Sequence, residues 1–138
     1  WLRTGDLGVL RDGELLVVGR SDDFISIAGR NFSTHELEEQ IGREPAVRPG
    51  NCAVVPDDAG RYLVFAEPVD AAVGTDDIQA AVRSIRSALA KRFVAPSAVY
   101  FVARGSLPKT PSGKLQRHKV AARFAAGRLE PIGPGAER

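Results

Sequence analysis

The segment Leu107-Pro-Lys-Thr-Pro-Ser-Gly-Lys-Leu-Gln-Arg117 sets one amine, Lys114, beside a Pro/Ser/Gly turn, with cations on either side and no acid within it. An ammonium on a flexible four-carbon stem, carried by such a loop, can reach into a site and touch an anion. The spacing is not that of a phosphate-cradling P-loop. Pro108 stands where that motif needs glycine, and Leu115 where it needs Ser or Thr. What remains is a single mobile cation, suited to neutralising a carboxylate and an α-phosphate as they react. The plainer reading of the same residues is a surface turn.

Three other short runs hold candidate chemistry. In Arg3-Thr-Gly-Asp6 the carboxylate of Asp6 can accept two hydrogen bonds from a vicinal diol; otherwise Asp6 is a turn residue. Gly19-Arg20-Ser21-Asp22 puts a cation and an acid next to a glycine. Ala28-Gly29-Arg30 has glycine where a backbone passes close to a ligand, or where a strand ends in a turn or bulge. His35, His118 and Cys52 show no metal-ligand spacing, so no metal site is expected. Both histidines are expected on the solvated surface and Cys52 within a buried strand.

The elements that must position these runs follow from pattern. Leu7 to Val18 is two apolar runs around Arg11-Asp12-Gly13-Glu14, a β-hairpin with a tight Asp-Gly turn. Phe24, Ile25 and Ile27 predict a short strand ending at Ala28-Gly29. Ser33 and Glu36 form a capping box, and Phe32 with Leu37 a hydrophobic staple, at the start of a helix whose buried face holds Leu37 and Ile41. Asn51–Pro56 and Tyr62–Val69 flank Asp57-Asp58-Ala59-Gly60 as an antiparallel pair. Thr75 is expected to cap a second helix, with Asp76 and Asp77 at its positive end and Ile78, Val82, Ile85 and Leu89 as its core stripe. Arg83 and Arg86 fall off that stripe. Val99–Ala103 is a further strand. Lys119–Ala126 is a short helix with Val120 and Phe124 inward and Gly127 as its stop. Pro131–Arg138 is Pro/Gly-rich and expected to fray. The fold class is α+β: a small β-sheet, with an N-terminal β-hairpin, covered by about three helices.

A chain of 138 residues, 43% hydrophobic and 26% charged, is one ordinary domain. No apolar run approaches the roughly 20 residues of a membrane span, and no signal-peptide pattern opens it. A single cysteine cannot form an internal disulfide, which points to a reducing, cytoplasmic setting. The chain opens on Trp1 and contains no methionine, as expected of a piece of something longer. Its net charge of +2 is unevenly spread: residues 1–77 hold 7 basic and 15 acidic side chains, residues 78–129 hold 11 basic and none acidic. So basic a half points to an anionic partner, such as a nucleotide, phosphopantetheine, an acidic protein or nucleic acid, or else to a solvated face.

Pro108-Lys-Thr-Pro-Ser-Gly-Lys114, Arg3-Thr-Gly-Asp6 and Gly19-Arg-Ser-Asp22 together resemble three motifs of the adenylate-forming enzymes, in the family's order and over the chain up to about residue 129. These enzymes activate a carboxylic acid with ATP and pass the acyl group to a thiol. The resemblance implies that Lys114 is the catalytic lysine of adenylation. Asp6 and Arg20 would bind the ATP ribose, and Asp22 would be the hinge pivot. Ala28, Gly29 and Arg30 would line the pantetheine side during thioester formation. Ser26 stands where many members have lysine.

Residues 1–20 would close a large N-terminal domain, 21–129 would be the mobile C-terminal domain, and 130–138 a flexible tail. ATP and Mg²⁺ would be held mainly by residues absent here, so the chain alone would be inactive. A phosphopantetheine thiol would be the acceptor. The implied partners are a fatty or other carboxylic acid, an acyl carrier protein or coenzyme A, and the enzyme's own N-terminal domain. Ala46–Ala53 and Leu107–His118 are similar to fatty acyl-AMP ligases. Asp22-Asp23 and Ala28-Gly29 look as much like acyl-CoA synthetases or amino-acid-adenylating domains. Two alternatives come from other classes. One is a nucleic-acid-binding module, against which the basic half offers only Phe93, Tyr100, Phe101 and Phe124, with Phe93 and Phe124 at core positions and no stacking platform. The other is a regulatory domain in which Lys114 is dispensable.

Overall fold

Asp12 and Gly13 take φ of 52° and 83°, the left-handed pair that a two-residue turn requires, and so fold β1 (Asp6–Arg11) back on β2 (Glu14–Arg20). This is the first element of a computed structural model that describes residues 4–133. Arg3 of the first motif lies outside the described residues. A 3-10 turn over Ser21–Asp23 leads into β3 (Phe24–Ile27), which pairs antiparallel with β4 (Arg30–Ser33). The second strand of that hairpin is legible only in the structure, because Arg30-Asn31 carries no strand signal.

Helix α1 (Thr34–Ile41) begins where Ser33 Oγ accepts the Glu36 amide at 3.4 Å. The amide half of the expected capping box is thus present; the reciprocal bond from the Glu36 carboxylate is absent among the described residues. Phe32, Leu37 and Ile41 all enter the core. Strand β5 (Val47–Pro56) runs antiparallel to β6 (Tyr62–Pro68). The connection from β6 carries α2 (Thr75–Arg92) and returns as β7 (Ala98–Val102), parallel to β6. Helix α3 spans Arg117–Ala125, two residues earlier than its apolar pattern suggests.

Two expectations are corrected. Gly74, not Thr75, is the N-cap of α2, and it makes no side-chain cap. The Ile78 amide already bonds to the Gly74 carbonyl at 3.1 Å, which places Thr75 inside the helix. Of the expected tail, Pro131 and Ile132 are ordered in a strand, and residues 134–138 lie outside the described residues. Gly127, at φ 68°, stops α3, Leu129 is buried, and Pro131–Ile132 adds β8 antiparallel to β7. An edge strand tolerates proline because the missing N–H is not needed inward.

The sheet order is β5-β6-β7-β8. Side chains alternate strictly across it, as strand geometry demands. Cys52, Val54, Tyr62, Val64, Ala66, Val99 and Phe101 face one way, in the cluster that also holds buried residues of α1 and α2. Ala53, Val55, Phe65 and Val102 face the other, with Leu107, Val120 and Leu129. The α+β class therefore holds, with a small mixed sheet buried on both faces by three helices.

Candidate functional site

The loop bearing Lys114 is fixed at its base and free at its tip. Its first residue, Leu107, donates its backbone N–H to Glu67 Oε1 at 3.1 Å. Glu67 is 1% exposed in β6, and Arg48 of β5 pairs with its second oxygen at 3.1 Å. A buried carboxylate survives only with such partners, and here they tie the loop to the sheet. Lys109 then donates to the Gly50 carbonyl at 3.1 Å and to Asn51 Oδ1 at 2.7 Å. Lys109 and Leu115 form an isolated bridge, and the Gln116 amide closes the stem on the Pro108 carbonyl at 2.9 Å.

At the tip, the Thr110 amide donates to the Lys114 carbonyl at 2.7 Å and the Gly113 amide to the Thr110 carbonyl at 2.8 Å. The Lys114 amide donates to Thr110 Oγ1 at 3.0 Å. Gly113 sits at φ 86°, where a side chain would be strained. Thr110, Ser112 and Gly113 thus build a stiff turn, while the Lys114 side chain is exposed and its ammonium has no partner among the described residues. A rigid backbone carrying an unengaged cation is what an electrostatic stabiliser of transient negative charge needs.

Arg117 closes the segment and joins three elements. Its Nε and one terminal nitrogen donate to the two oxygens of Glu38 in α1 at 2.7 and 2.6 Å, a bidentate geometry, and its other terminal nitrogen lies 3.6 Å from Asp23 in the 3-10 turn. The hydrogen bonds that Arg117 donates to Glu38, opposed by burial, raise the Arg117 pKa above its ordinary value. Glu38 also accepts the Val54 amide at 3.1 Å, and its backbone carbonyl accepts the Cys52 thiol at 3.3 Å. Burial, reinforced by the Glu38 charge, pushes that thiol up to about 12. Cys52 is therefore an inert buried strand residue.

On the hinge side, Asp6 and Arg20 are register partners across the β1–β2 hairpin, and both are exposed. The Ser21 amide donates to the Gly5 carbonyl at 2.7 Å, and the Arg20 amide to Asp23 Oδ2 at 3.3 Å, so the 3-10 turn is held from both sides. Asp22 is exposed between them. Ala28 and Gly29, at φ 50° and 77°, are the two-residue turn between β3 and β4. Left-handed alanine costs roughly 1–2 kcal/mol, and Arg30 stacks its guanidinium 5.2 Å from the Phe32 ring centre just behind. No hydrogen bond or ion pair joins Lys114, the Asp6–Arg20 pair and the Ala28–Arg30 turn to one another among the described residues. His35 and His118 are exposed, and no group of three His, Cys, Asp or Glu that could hold a metal is present among the described residues.

Pattern reading missed Glu38, Asn51 and Glu67 as the anchors of this site. One signal was present: an acid inside the apolar run Leu63-Val-Phe-Ala-Glu67 implies a buried partner. The aromatics of the basic half are engaged in packing. Tyr100 and Phe124 lie 5.1 Å apart and both pack on Phe65. No helix among the described residues is long and apolar enough to cross a membrane.

No protein-family model matches the chain. It is 35% identical over 135 residues to the medium-chain-fatty-acid–[acyl-carrier-protein] ligase JamA of Moorena producens, covering 94% of this chain and 23% of that protein. It is also 35% identical over 130 residues to the long-chain-fatty-acid–AMP ligase FadD26 of Mycobacterium tuberculosis, covering 90% and 22%. Among solved structures, the adenylation, ketoreductase and pseudo-Asub multidomain structure of a keto acid-selecting NRPS module superposes with a TM-score of 0.80 at 29% identity, over 94% of this chain and 11% of that one. The chain thus spans less than a quarter of the length of these curated relatives. It corresponds to a C-terminal portion of the adenylate-forming enzymes. Within that class its relatives include fatty acyl-AMP ligases and acyl-CoA synthetases.

Proposed function

We propose that this chain is the C-terminal part of an ATP-dependent ligase that activates a fatty acid as acyl-AMP and loads it onto an acyl carrier protein. In the first stage a carboxylate oxygen attacks the α-phosphorus and pyrophosphate leaves. In the second a phosphopantetheine thiol attacks the acyl carbon, losing its proton, and AMP leaves. The observation that carries this reading is Lys114: an exposed ammonium, without a partner among the described residues, on a hydrogen-bonded turn whose stem is anchored by Glu67 and Asn51. Lys114 supplies positive charge as the carboxylate and α-phosphate react. Asp6 and Arg20, opposite each other on the hairpin, suit a vicinal diol of the ribose. Asp22 is the pivot, and the Ala28-Gly29-Arg30 turn borders the thiol.

Mg²⁺ and most of ATP are assigned in this reading to the N-terminal portion of the enzyme, and this chain alone would then be inactive. The exposed apolar hairpin supports residues 1–20 as the end of that N-terminal domain, with 21–129 as the mobile domain. Transfer to a carrier protein rather than to coenzyme A rests on the name of JamA. The test is Lys114→Ala in the full-length enzyme. Acyl-AMP formation is expected to fall about 10²–10³-fold, the range for losing one electrostatic stabiliser, while thioester formation from supplied acyl-AMP persists. Unimpaired adenylation removes the assignment. Gly29→Leu is the complementary variant: acyl-AMP should accumulate and thioester yield should drop.

A further inference from the structure

Next to the stem of the Lys114 loop, on the side of the sheet covered by α3, is an open depression of about 500 Å³. Four cations line it: Arg48 from β5, Lys109 from the loop, and Lys119 and Arg123 from α3. Its one acid is Glu67, which is 1% exposed and already engaged by Arg48 and the Leu107 amide. The depression therefore keeps a surplus of positive charge.

Three of the four also serve the fold, Arg48 on Glu67, Lys109 on the Gly50 carbonyl and Asn51, and Arg123 on the Ser106 carbonyl at 3.1 Å, yet none of these contacts but the first brings a compensating negative charge. Lys119 and Arg123 are one helical turn apart, where like charges repel. Helix α3 has no acid in its first turn and carries Arg117, His118 and Lys119 there, against the positive end of its own dipole. Arg117 is compensated by Glu38 and Asp23, whereas the Lys119 ammonium has no partner among the described residues. Gly105, at φ 79° with open space where a side chain would stand, lets a ligand approach the backbone at the rim. The volume falls within the roughly 300–1,000 Å³ of small-molecule sites.

We propose that this depression is a binding site for a small molecule bearing a diphosphate or two phosphate groups. The site is separate from the Lys114 ammonium and does not depend on the adenylation reading. Because Lys109 and Leu107 belong to both the depression and the loop stem, an occupant would also brace the loop.

The test is calorimetric titration of the 138-residue chain, whose sheet is covered on both faces by its own helices, with ADP, inorganic pyrophosphate and AMP. ADP and pyrophosphate are expected to saturate one site, with AMP at least tenfold weaker. Tighter ADP than pyrophosphate assigns an organic diphosphate; equal affinities assign the free inorganic ion. Lys119→Gln with Arg123→Gln should weaken binding at least tenfold. Lys119→Gln alone, which spares the Arg123 bond to the Ser106 carbonyl and so guards against a folding defect, should also weaken binding, and Lys119→Arg should preserve it. Arg83→Gln with Arg86→Gln, an equal loss of charge on α2, should leave it within about twofold. The proposal is overturned by no saturation below millimolar concentration, or by equal losses from the α2 and α3 double variants, which would indicate only a diffuse basic field.

Discussion

The β1–β2 hairpin and the β5–β6 pair are written in nearly the same alphabet and meet opposite fates. Leu10, Leu15 and Val17 of the hairpin are 73%, 68% and 68% exposed, while Val54 and Phe65 of the sheet are fully buried. Both pairs close on turns with an Asp or a Gly, and both satisfy their backbone ladders. The difference is that the sheet has α1 and α2 on one face and α3 on the other, whereas nothing among the described residues covers the hairpin. Apolar alternation specifies a strand, but burial requires a second layer. A hairpin this apolar and uncovered fits the proposal that residues 1–20 belong with a further domain.

That contrast is broken or sharpened most strongly at Phe65, which is fully buried against Tyr100 and Phe124. Phe65→Ala should cost about 3–5 kcal/mol in urea unfolding. A loss comparable to that of a hairpin substitution would mean that the sheet is not the stabilising core.

Next is the link that joins the Lys114 segment to α1. Glu38→Ala strands the half-buried Arg117 cation and should cost about 1–3 kcal/mol, less than the roughly 3–5 kcal/mol of a fully buried pair because both side chains keep some solvent contact. A double-mutant cycle with Arg117→Ala should recover part of the loss through non-additivity; strict additivity would show the pair to be uncoupled.

Cys52 gives a pH test of the body alone. Its folded pKa is raised from 9.0 to about 12, so the thiol favours the folded state fully below pH 9. That contribution is lost as pH rises from 9 towards 12, because only the unfolded thiol ionises there. Alkaline stability should therefore decline less steeply in Cys52→Ala than in the parent, read by thermal melts across that window. Iodoacetamide should label the native thiol only at the rate of opening.

The smallest effect is expected in the hairpin. Leu15→Ser should change the stability of this chain by less than about 0.5 kcal/mol, yet weaken association with an upstream domain supplied in trans. A large loss in the isolated chain would show that the hairpin already has an internal partner.

Much of the molecule was legible from local rules. The Asp12-Gly13 turn, the Ser33 cap and the Gly127 stop are each specified within a few residues by backbone sterics and appear as written, and the stripe on α2 appears with Ala81 buried beside Ile78, Ile85 and Leu89 and Val82 only partly so. So is the tip of the Lys114 loop, because Thr110 and Gly113 make its hydrogen bonds locally. What sequence spacing could not reach is who meets whom across the fold. The basic half looked free of acids, yet Arg117 finds Glu38 seventy-nine residues away, Leu107 finds Glu67 at forty, and Lys109 finds Asn51 at fifty-eight. The parallel return of β7 beside β6, and β8 on its outer edge, depend equally on a helix packing back onto the sheet. Local geometry is decided by dihedral preferences that each residue carries with it. The pairing of buried charges is decided by desolvation, which acts only once the layers have closed.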